Sequence, residues 1–175
     1  MSRKAKLSQH TAILLERARR FGISDDLILS SKVNEDISPF KVAEEPYYSY
    51  DTFFSYAETH NEDIVEAIKT GYKMKFNTLG GIQTWLKEKF EFVPEIDFSF
   101  VPGKIDNLKL SKKQLNTLYH VLAKNWVMLV KTESTGEIVF HENNFHELIE
   151  RFEEEIMVKL IIISEYENSK NRQSL

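Results

Sequence analysis

The sequence predicts an α+β protein of a single domain, dominated by helices, with one small antiparallel sheet or β-hairpin beside a helical core. Three observations lead to this prediction. Apolar residues recur at three- and four-residue spacing through much of the chain, which is typical of amphipathic helices. The chain has only 6 Gly and 4 Pro, which favours long helices over a loop-rich β fold. Runs rich in Val, Ile and Phe flank a turn that contains Gly136, which predicts a hairpin.

The stretch from Ser111 to residue 141 carries the strongest structural signal. Ser111 and Gln114 have the spacing of a capping box, and Leu115 and Leu118 begin one continuous apolar stripe. A helix therefore begins at Ser111. Residues 126–131 could continue this helix or form a strand. We expect a strand, because the turn and the β-branched run that follow them complete a hairpin.

Helical spacing of apolar residues runs from Phe145 to Ile163 and favours one long helix over these residues. A strand within residues 157–163 is the alternative, because Ile161, Ile162 and Ile163 are consecutive β-branched residues. Shorter strands are predicted where apolar and polar residues alternate, at residues 72–76 and 96–100.

Composition supports a folded core and divides the chain into regions. Hydrophobic residues make up 42% of the chain and include 12 Phe, which is enough apolar surface for a buried core. Residues 34–46 are polar and contain both Pro39 and Pro46, which is typical of a linker. The predicted regions are a basic N-terminal helical hairpin (1–33), a linker (34–46), a main helix-rich core (47–167) and a frayed tail (168–175).

Several classes of site lack their usual residues. The chain has no Cys, so it cannot form disulfides or cysteine zinc sites, and it fits a reducing compartment. His141 and His146 are five residues apart, one too many for the zinc-protease motif. No glycine-rich phosphate loop and no long apolar run is present. We therefore predict no cofactor, no metal, no membrane contact and a cytoplasmic location.

Residues 14–33 resemble a helix-turn-helix motif. Ala18, Gly22 and Ser24 fall where that motif has a small residue, the turn glycine and a helix cap. The resemblance implies DNA binding, although Asp25 and Asp26 would then face a phosphate-rich groove. A simple helical hairpin explains the same residues. The candidate DNA contacts are Arg17, Arg19, Arg20, Ser24, Ser30, Ser31 and Lys32.

Aromatic residues concentrate directly after the predicted linker, where they form a candidate interaction patch. They are Tyr47, Tyr48, Tyr50, Phe53 and Phe54. The alternative is ordinary core packing with the tyrosine hydroxyls at its rim. Four acidic residues around the patch disfavour stacking on nucleic-acid bases.

By elimination, these patterns favour a non-catalytic regulatory or protein-interaction protein of the cytosol. Its expected partner is another protein or a second copy of the chain. The alternative is a DNA-binding regulator that uses residues 14–33, and this makes nucleic acid the alternative partner. The second alternative is an enzyme of unknown class, to which no catalytic residue can be assigned.

Overall fold

The computed structural model describes residues 4–132, 136–152 and 155–173. The chain is about 49% helical and 23% strand, which confirms the predicted helix-dominated α+β class. The antiparallel sheet is larger than the predicted hairpin, because it has five strands in the described residues. The chain divides into two compact units, residues 1–91 and 92–175. None of the described helices is both long enough and apolar enough to cross a membrane.

The first unit is helical except for one small sheet. Its two strands, β1 and β2, pair in parallel with Leu7 opposite Met74. The elements in chain order are β1 (Ala5–Leu7), α1 (Gln9–Arg20), α2 (Asp25–Asn34), a 3-10 helix (Ser38–Ala43), α3 (Phe53–Thr59), α4 (Ile64–Thr70), β2 (Tyr72–Met74) and α5 (Leu79–Phe90).

Helix α1 is the central element of the first unit. Its apolar stripe is fully removed from solvent, with Leu14, Leu15 and Ala18 all at most 2% exposed. It begins where the Ser8 hydroxyl accepts a hydrogen bond from the Thr11 backbone N–H, which satisfies one of the free donors at a helix N-terminus. The helix is therefore placed by packing along its length and by a cap at its start.

The predicted linker, residues 34–46, contains core residues of the first unit. Phe40 and Ala43 lie in the 3-10 helix and are both 0% exposed. The Phe40 ring stacks on Tyr50 at a centroid distance of 4.8 Å. The predicted boundaries of this linker, after residues 33 and 46, thus both lie inside the first unit. The apolar side chains of the proline-containing segment are part of the core of that unit.

A buried carboxylate, Glu62, fastens the start of α1. It lies outside α1, and its side chain accepts hydrogen bonds from the Ser8 backbone N–H at 2.8 Å, from the Ser8 and Thr11 hydroxyls, and from Lys75 Nζ at 2.8 Å. Burial alone raises the pKa of Glu62, but these donors outweigh burial, and the pKa lies below its ordinary value near 4.5. The ionised carboxylate is therefore the form that the fold stabilises.

The second unit is an antiparallel sheet with helices. The strand order is β3-β4-β7-β5-β6, so the last of the described strands lies in the middle of the sheet. The elements are β3 (Ser99–Val101), β4 (Lys104–Leu110), α6 (Lys112–Val121), β5 (Trp126–Thr132), β6 (Gly136–Val139), α7 (Phe145–Glu150), β7 (Ile156–Ile162) and α8 (Ile163–Gln173).

Alternate residues of the central strands form the core of the second unit. Leu160 of β7 lies opposite Ile105 of β4 and Met128 of β5, and all three are at most 4% exposed. Helix α6 adds its buried apolar stripe, and its Tyr119 ring stacks on Phe145 of α7 at 3.9 Å. Both helices thus contribute to one layer of side chains.

Several local predictions for the second unit are confirmed. The capping box at Ser111 and Gln114 is present. Residues 126–131 form a strand, and β5 pairs antiparallel with β6 as expected of a hairpin. The turn between them, residues 133–135, lies outside the described residues. The predicted frayed tail, residues 168–175, differs in part, since α8 continues to residue 173.

The predicted long helix over residues 145–163 is wrong. Helix α7 ends at Glu150, and residues 156–162 form β7. The helical spacing was ambiguous because this run also alternates: Ile156, Val158 and Leu160 are 0% exposed, whereas the residues between them are half-buried. A strand in the middle of a sheet is stabilised by cross-strand partners on both sides. A helix formed by the same residues would lack these partners.

Truncation of β7 residues distinguishes a strand from a helix. Leu160→Ala should cost about 3 kcal/mol of unfolding free energy, because it leaves a cavity in the core. Met157→Ala should cost less than about 1 kcal/mol, because in a strand residues 157 and 160 lie on opposite faces. Urea unfolding measures both values. Equal and large costs would contradict the strand, since a helix places these residues on one face.

The role of Glu62 predicts a specific loss of stability in acid. The pKa of its carboxyl is lower in the folded protein than in the unfolded chain, so its stabilisation is complete above the unfolded value and is lost as pH falls through the folded value. Glu62→Gln should lower the unfolding free energy at neutral pH by about 2 kcal/mol. It should also flatten the fall in stability between about pH 5 and pH 3.

Urea unfolding at several pH values measures this effect. Glu58→Gln changes an exposed carboxylate of the same unit and is the matched control. If the acid dependence of Glu62→Gln equals that of the wild-type protein, the buried carboxylate does not hold α1 as described.

Candidate functional site

The buried guanidinium of Arg17 is the centre of the most constrained site in the first unit. Arg17 lies in the last turn of α1 and is 1% exposed. Its Nε donates to the Ala43 carbonyl at 2.6 Å, and its Nη1 donates to Glu88 of α5 at 3.1 Å. Its Nη2 lies 2.9 Å from a carboxylate oxygen of Glu45. One side chain thus connects α1, α5 and the segment that follows the 3-10 helix.

The same guanidinium supports a tight turn. It lies over the Tyr48 ring, 4.0 Å from its centroid, which is a favourable cation–π geometry. The Tyr48 backbone N–H donates to the Glu45 carbonyl at 2.8 Å, and the Glu45 N–H donates to the Tyr48 carbonyl at 3.3 Å. Pro46 occupies the first central position of this turn, which suits its fixed φ. Arg17 therefore holds both ends of the turn.

The other central residue of the turn, Tyr47, is 95% exposed. Val42, just before the buried Ala43, is 60% exposed. We call residues 42–48 the tyrosine loop. It combines exposed apolar side chains with a backbone that is anchored by a buried cation.

The five residues of the predicted interaction patch occupy different environments. Tyr50 and Phe53 are in the core, at 0% and 1% exposure. The Tyr50 hydroxyl donates to the Leu14 carbonyl at 2.8 Å, and burial raises its pKa far above the ordinary value. Phe54 and Tyr48 are half-buried. Tyr47 is thus the patch residue that reaches furthest into solvent.

Two local features of the helix-turn-helix resemblance, the turn glycine and the helix cap, are present between α1 and α2. Gly22 in the turn has a φ of +83°, and the Ser24 hydroxyl accepts the Leu27 backbone N–H at 3.2 Å. Arg17 and Ser31, which depart from the apolar pattern of the motif, occupy interior positions at 1% and 2% exposure. Two consecutive helices joined by a short turn are therefore present, and the two unusual polar residues are buried.

The cationic side chains of this hairpin are engaged within the chain. Arg19 bonds both to Asp25 at 2.8 Å and to Glu16 at 2.9 Å. Arg20 Nε lies 2.7 Å from Glu88. The remaining candidate contacts are also occupied or buried: Lys32 pairs with Glu58, Ser30 bonds to the Leu27 carbonyl, and Ser31 is buried. DNA binding through these residues stays a prediction, and their placement gives it no support.

Sequence reasoning missed a charged cleft between α1 and α5, with a volume of about 200 Å³. Glu16, which is 2% exposed, accepts bonds from Arg19, from Lys89 at 2.8 Å and from the Tyr72 hydroxyl at 2.9 Å. Trp85 Nε1 donates to the same hydroxyl at 2.8 Å. The sequence feature that could have indicated this cleft is Glu16, an acid among the buried positions of the amphipathic helix α1.

The charged groups of the cleft pair with one another and hold α1 against α5. Burial and the charge of Glu16 raise the pKa of Tyr72 well above its ordinary value, so its hydroxyl stays a hydrogen-bond donor. Glu88 is neutralised by Arg17 and Arg20 together. Within the described residues, no group of three or more His, Asp or Glu side chains could hold a metal ion.

Removal of the Arg17 guanidinium should be costly. Arg17→Met leaves Glu88 with one cation in place of two and removes the anchor of the tyrosine loop, so we expect a loss of about 3 kcal/mol in unfolding free energy. Lys32→Met breaks a more exposed ion pair of the same unit and should cost less than about 1 kcal/mol. Urea unfolding compares them, and equal costs would contradict the anchoring role.

Comparison of the chain with protein-family models, with curated proteins and with solved structures found no match. The function proposed for this protein therefore rests on its own residues and contacts.

Proposed function

We propose that this chain is a non-catalytic protein-interaction module of the cytoplasm that binds its partner through the tyrosine loop. The observation that carries the proposal is Tyr47, which is 95% exposed at the apex of a turn that a buried arginine holds in place. Large aromatic side chains usually lie inside proteins, so an exposed one on a fixed backbone is typical of a binding surface.

The anchoring of the loop supports this role energetically. Association costs free energy when a flexible loop must become ordered, and a preorganised loop avoids that cost. Arg17 fixes the turn through Glu45 and Tyr48 before any partner binds. Tyrosine itself has few rotatable bonds for its contact area, so Tyr47 loses little entropy when it is buried.

The charges around the loop indicate the kind of partner surface. Glu44, Glu45 and Asp51 lie in or beside the loop, together with one cation, Lys41. Glu44 is paired with Lys41, and Glu45 is paired with Arg17, but the Glu45 side chain remains 57% exposed. We therefore expect an apolar pocket for Tyr47 in the partner, with basic residues at its rim.

The buried carboxylates favour a non-catalytic role. Glu16, Glu62 and Glu88 each accept bonds from at least two donors within the chain. Carboxylates that are held by donors of the chain itself in this way stabilise the fold. A reducing compartment also suits a chain without cysteine.

Substitution of the exposed loop residues tests the proposal. Tyr47→Ser and Val42→Ser should each reduce recovery of the natural partner in quantitative affinity purification from native cells, with unfolding free energies within about 0.5 kcal/mol of wild type. Phe76→Ser removes a different exposed apolar side chain, 58% exposed, from the same unit and is the matched control. If the loop variants and the control recover the same proteins in equal amounts, the tyrosine loop is not the binding surface.

Self-association is measured separately by sizing with light scattering over a range of protein concentrations. If the partner is a second copy of the chain, the wild-type protein should dimerise and Tyr47→Ser should be monomeric. A dimer that Tyr47→Ser leaves intact would place the self-association surface elsewhere.

A further inference from the structure

The charged cleft between α1 and α5 has room for a small molecule. Its volume is about 200 Å³. Pockets that bind drug-sized molecules have volumes of about 300–1,000 Å³, so this cleft suits a smaller ligand. Equal numbers of cationic and acidic side chains line it, and the net charge of the lining is therefore zero. They are Arg19, Arg20, Lys89, Glu16, Glu88 and Glu91.

Two of the acids lie at the buried side of the cleft and are engaged with its cations. Glu16 pairs with both Arg19 and Lys89, and Glu88 pairs with Arg20. Both carboxylates are at most 2% exposed, whereas the three cationic side chains are 24–28% exposed. A molecule that enters the cleft from solvent therefore meets the cations first.

The Arg20 guanidinium is held in place and keeps one edge for a ligand. Its Nε donates to Glu88 at 2.7 Å, and its Cζ lies 4.7 Å from the centroid of the Phe21 ring. Within the part of the chain that the structure describes, its Nη1 and Nη2 groups form no hydrogen bond. Paired N–H donors on a planar guanidinium match the two oxygens of a carboxylate. Arg20 is therefore prepared to bind a carboxylate.

Glu91 supplies the opposite charge in the same cleft. It is the C-cap residue of α5, is exposed, and forms no ion pair with a described residue. The last turns of α1 and α5 both contribute to the lining, through Arg20 and Lys89. Carbonyl groups at helix C-termini carry partial negative charge. The cleft therefore favours a ligand with an ammonium group over one that has only negative charge.

We propose that this cleft binds a free α-amino acid. The carboxylate of the ligand binds the Nη edge of Arg20, with Lys89 as a second cation, and its ammonium group binds Glu91. A zwitterion with adjacent charges of both signs matches a lining with no net charge. A residue inside a peptide chain has neither charged group. These three side chains lie outside the tyrosine loop, so the proposal does not depend on the function proposed for that loop.

Isothermal titration calorimetry of the full chain with each natural L-amino acid tests the proposal. We expect saturable binding of at least one of them. Two derivatives of that amino acid then test the two charges separately: the N-acetyl form lacks the ammonium group, and the carboxamide lacks the carboxylate. Each derivative should bind roughly tenfold more weakly than the parent amino acid.

Variants of the cleft test the assigned contacts. Glu91→Gln removes the acceptor of the ammonium group and should weaken the binding roughly tenfold with an unchanged midpoint of urea unfolding, since Glu91 is exposed. Glu35→Gln is the matched control, because Glu35 is also an exposed C-cap residue with a positive φ, in α2 of the same unit. It should leave the affinity unchanged. Arg20→Lys keeps a cation beside Glu88 but removes the planar fork, and it should also weaken the binding.

Three outcomes would overturn the proposal. The first is that no amino acid binds to wild-type protein whose unfolding transition is normal. The second is that the N-acetyl form or inorganic phosphate binds at least as tightly as the amino acid, since the cleft would then be a simple anion site. The third is an equal affinity of Glu91→Gln and wild type, which would place the bound amino acid elsewhere.

Discussion

A guanidinium that is removed from water must have its charge balanced, and this requirement organises the first unit. Arg17 cannot lose its charge at ordinary pH, so burial is tolerated only where acceptors converge on it. The Ala43 carbonyl and Glu88 of α5 accept hydrogen bonds from Nε and Nη1, and Glu45 forms an ion pair with Nη2. Because these groups come from separate parts of the chain, the position of Arg17 on α1 determines where α5 and the tyrosine loop lie.

This arrangement also explains how a loop can be both exposed and ordered. Most loops owe their mobility to backbone groups that bond only to water. In the tyrosine loop, Ala43 is buried, Glu45 is held by an ion pair and Tyr48 lies against the guanidinium. The energy of a buried charge network is thus used to fix the backbone on either side of Tyr47, while the Tyr47 side chain remains in solvent.

The features that could be predicted from the sequence were local ones. The capping box at Ser111 and the strand at residues 126–131 follow from neighbouring residues, so a short window identifies them. The strand at residues 156–162 could not be distinguished from a helix, because its partners in β4 and β5 are distant in sequence. The role of Arg17 was also hidden, since Glu88 lies 71 residues away and a basic residue near a helix end is usually exposed.

Two polar anchors lie at opposite ends of α1. Strand β1 leads directly into the N-terminus of α1, where Glu62 fastens Ser8, and Arg17 lies in the last turn of the same helix. Twelve helical residues separate the two ends by about 18 Å. Since each end has its own polar anchor, disturbance of Arg17 should loosen the tyrosine loop while the start of α1 keeps its geometry.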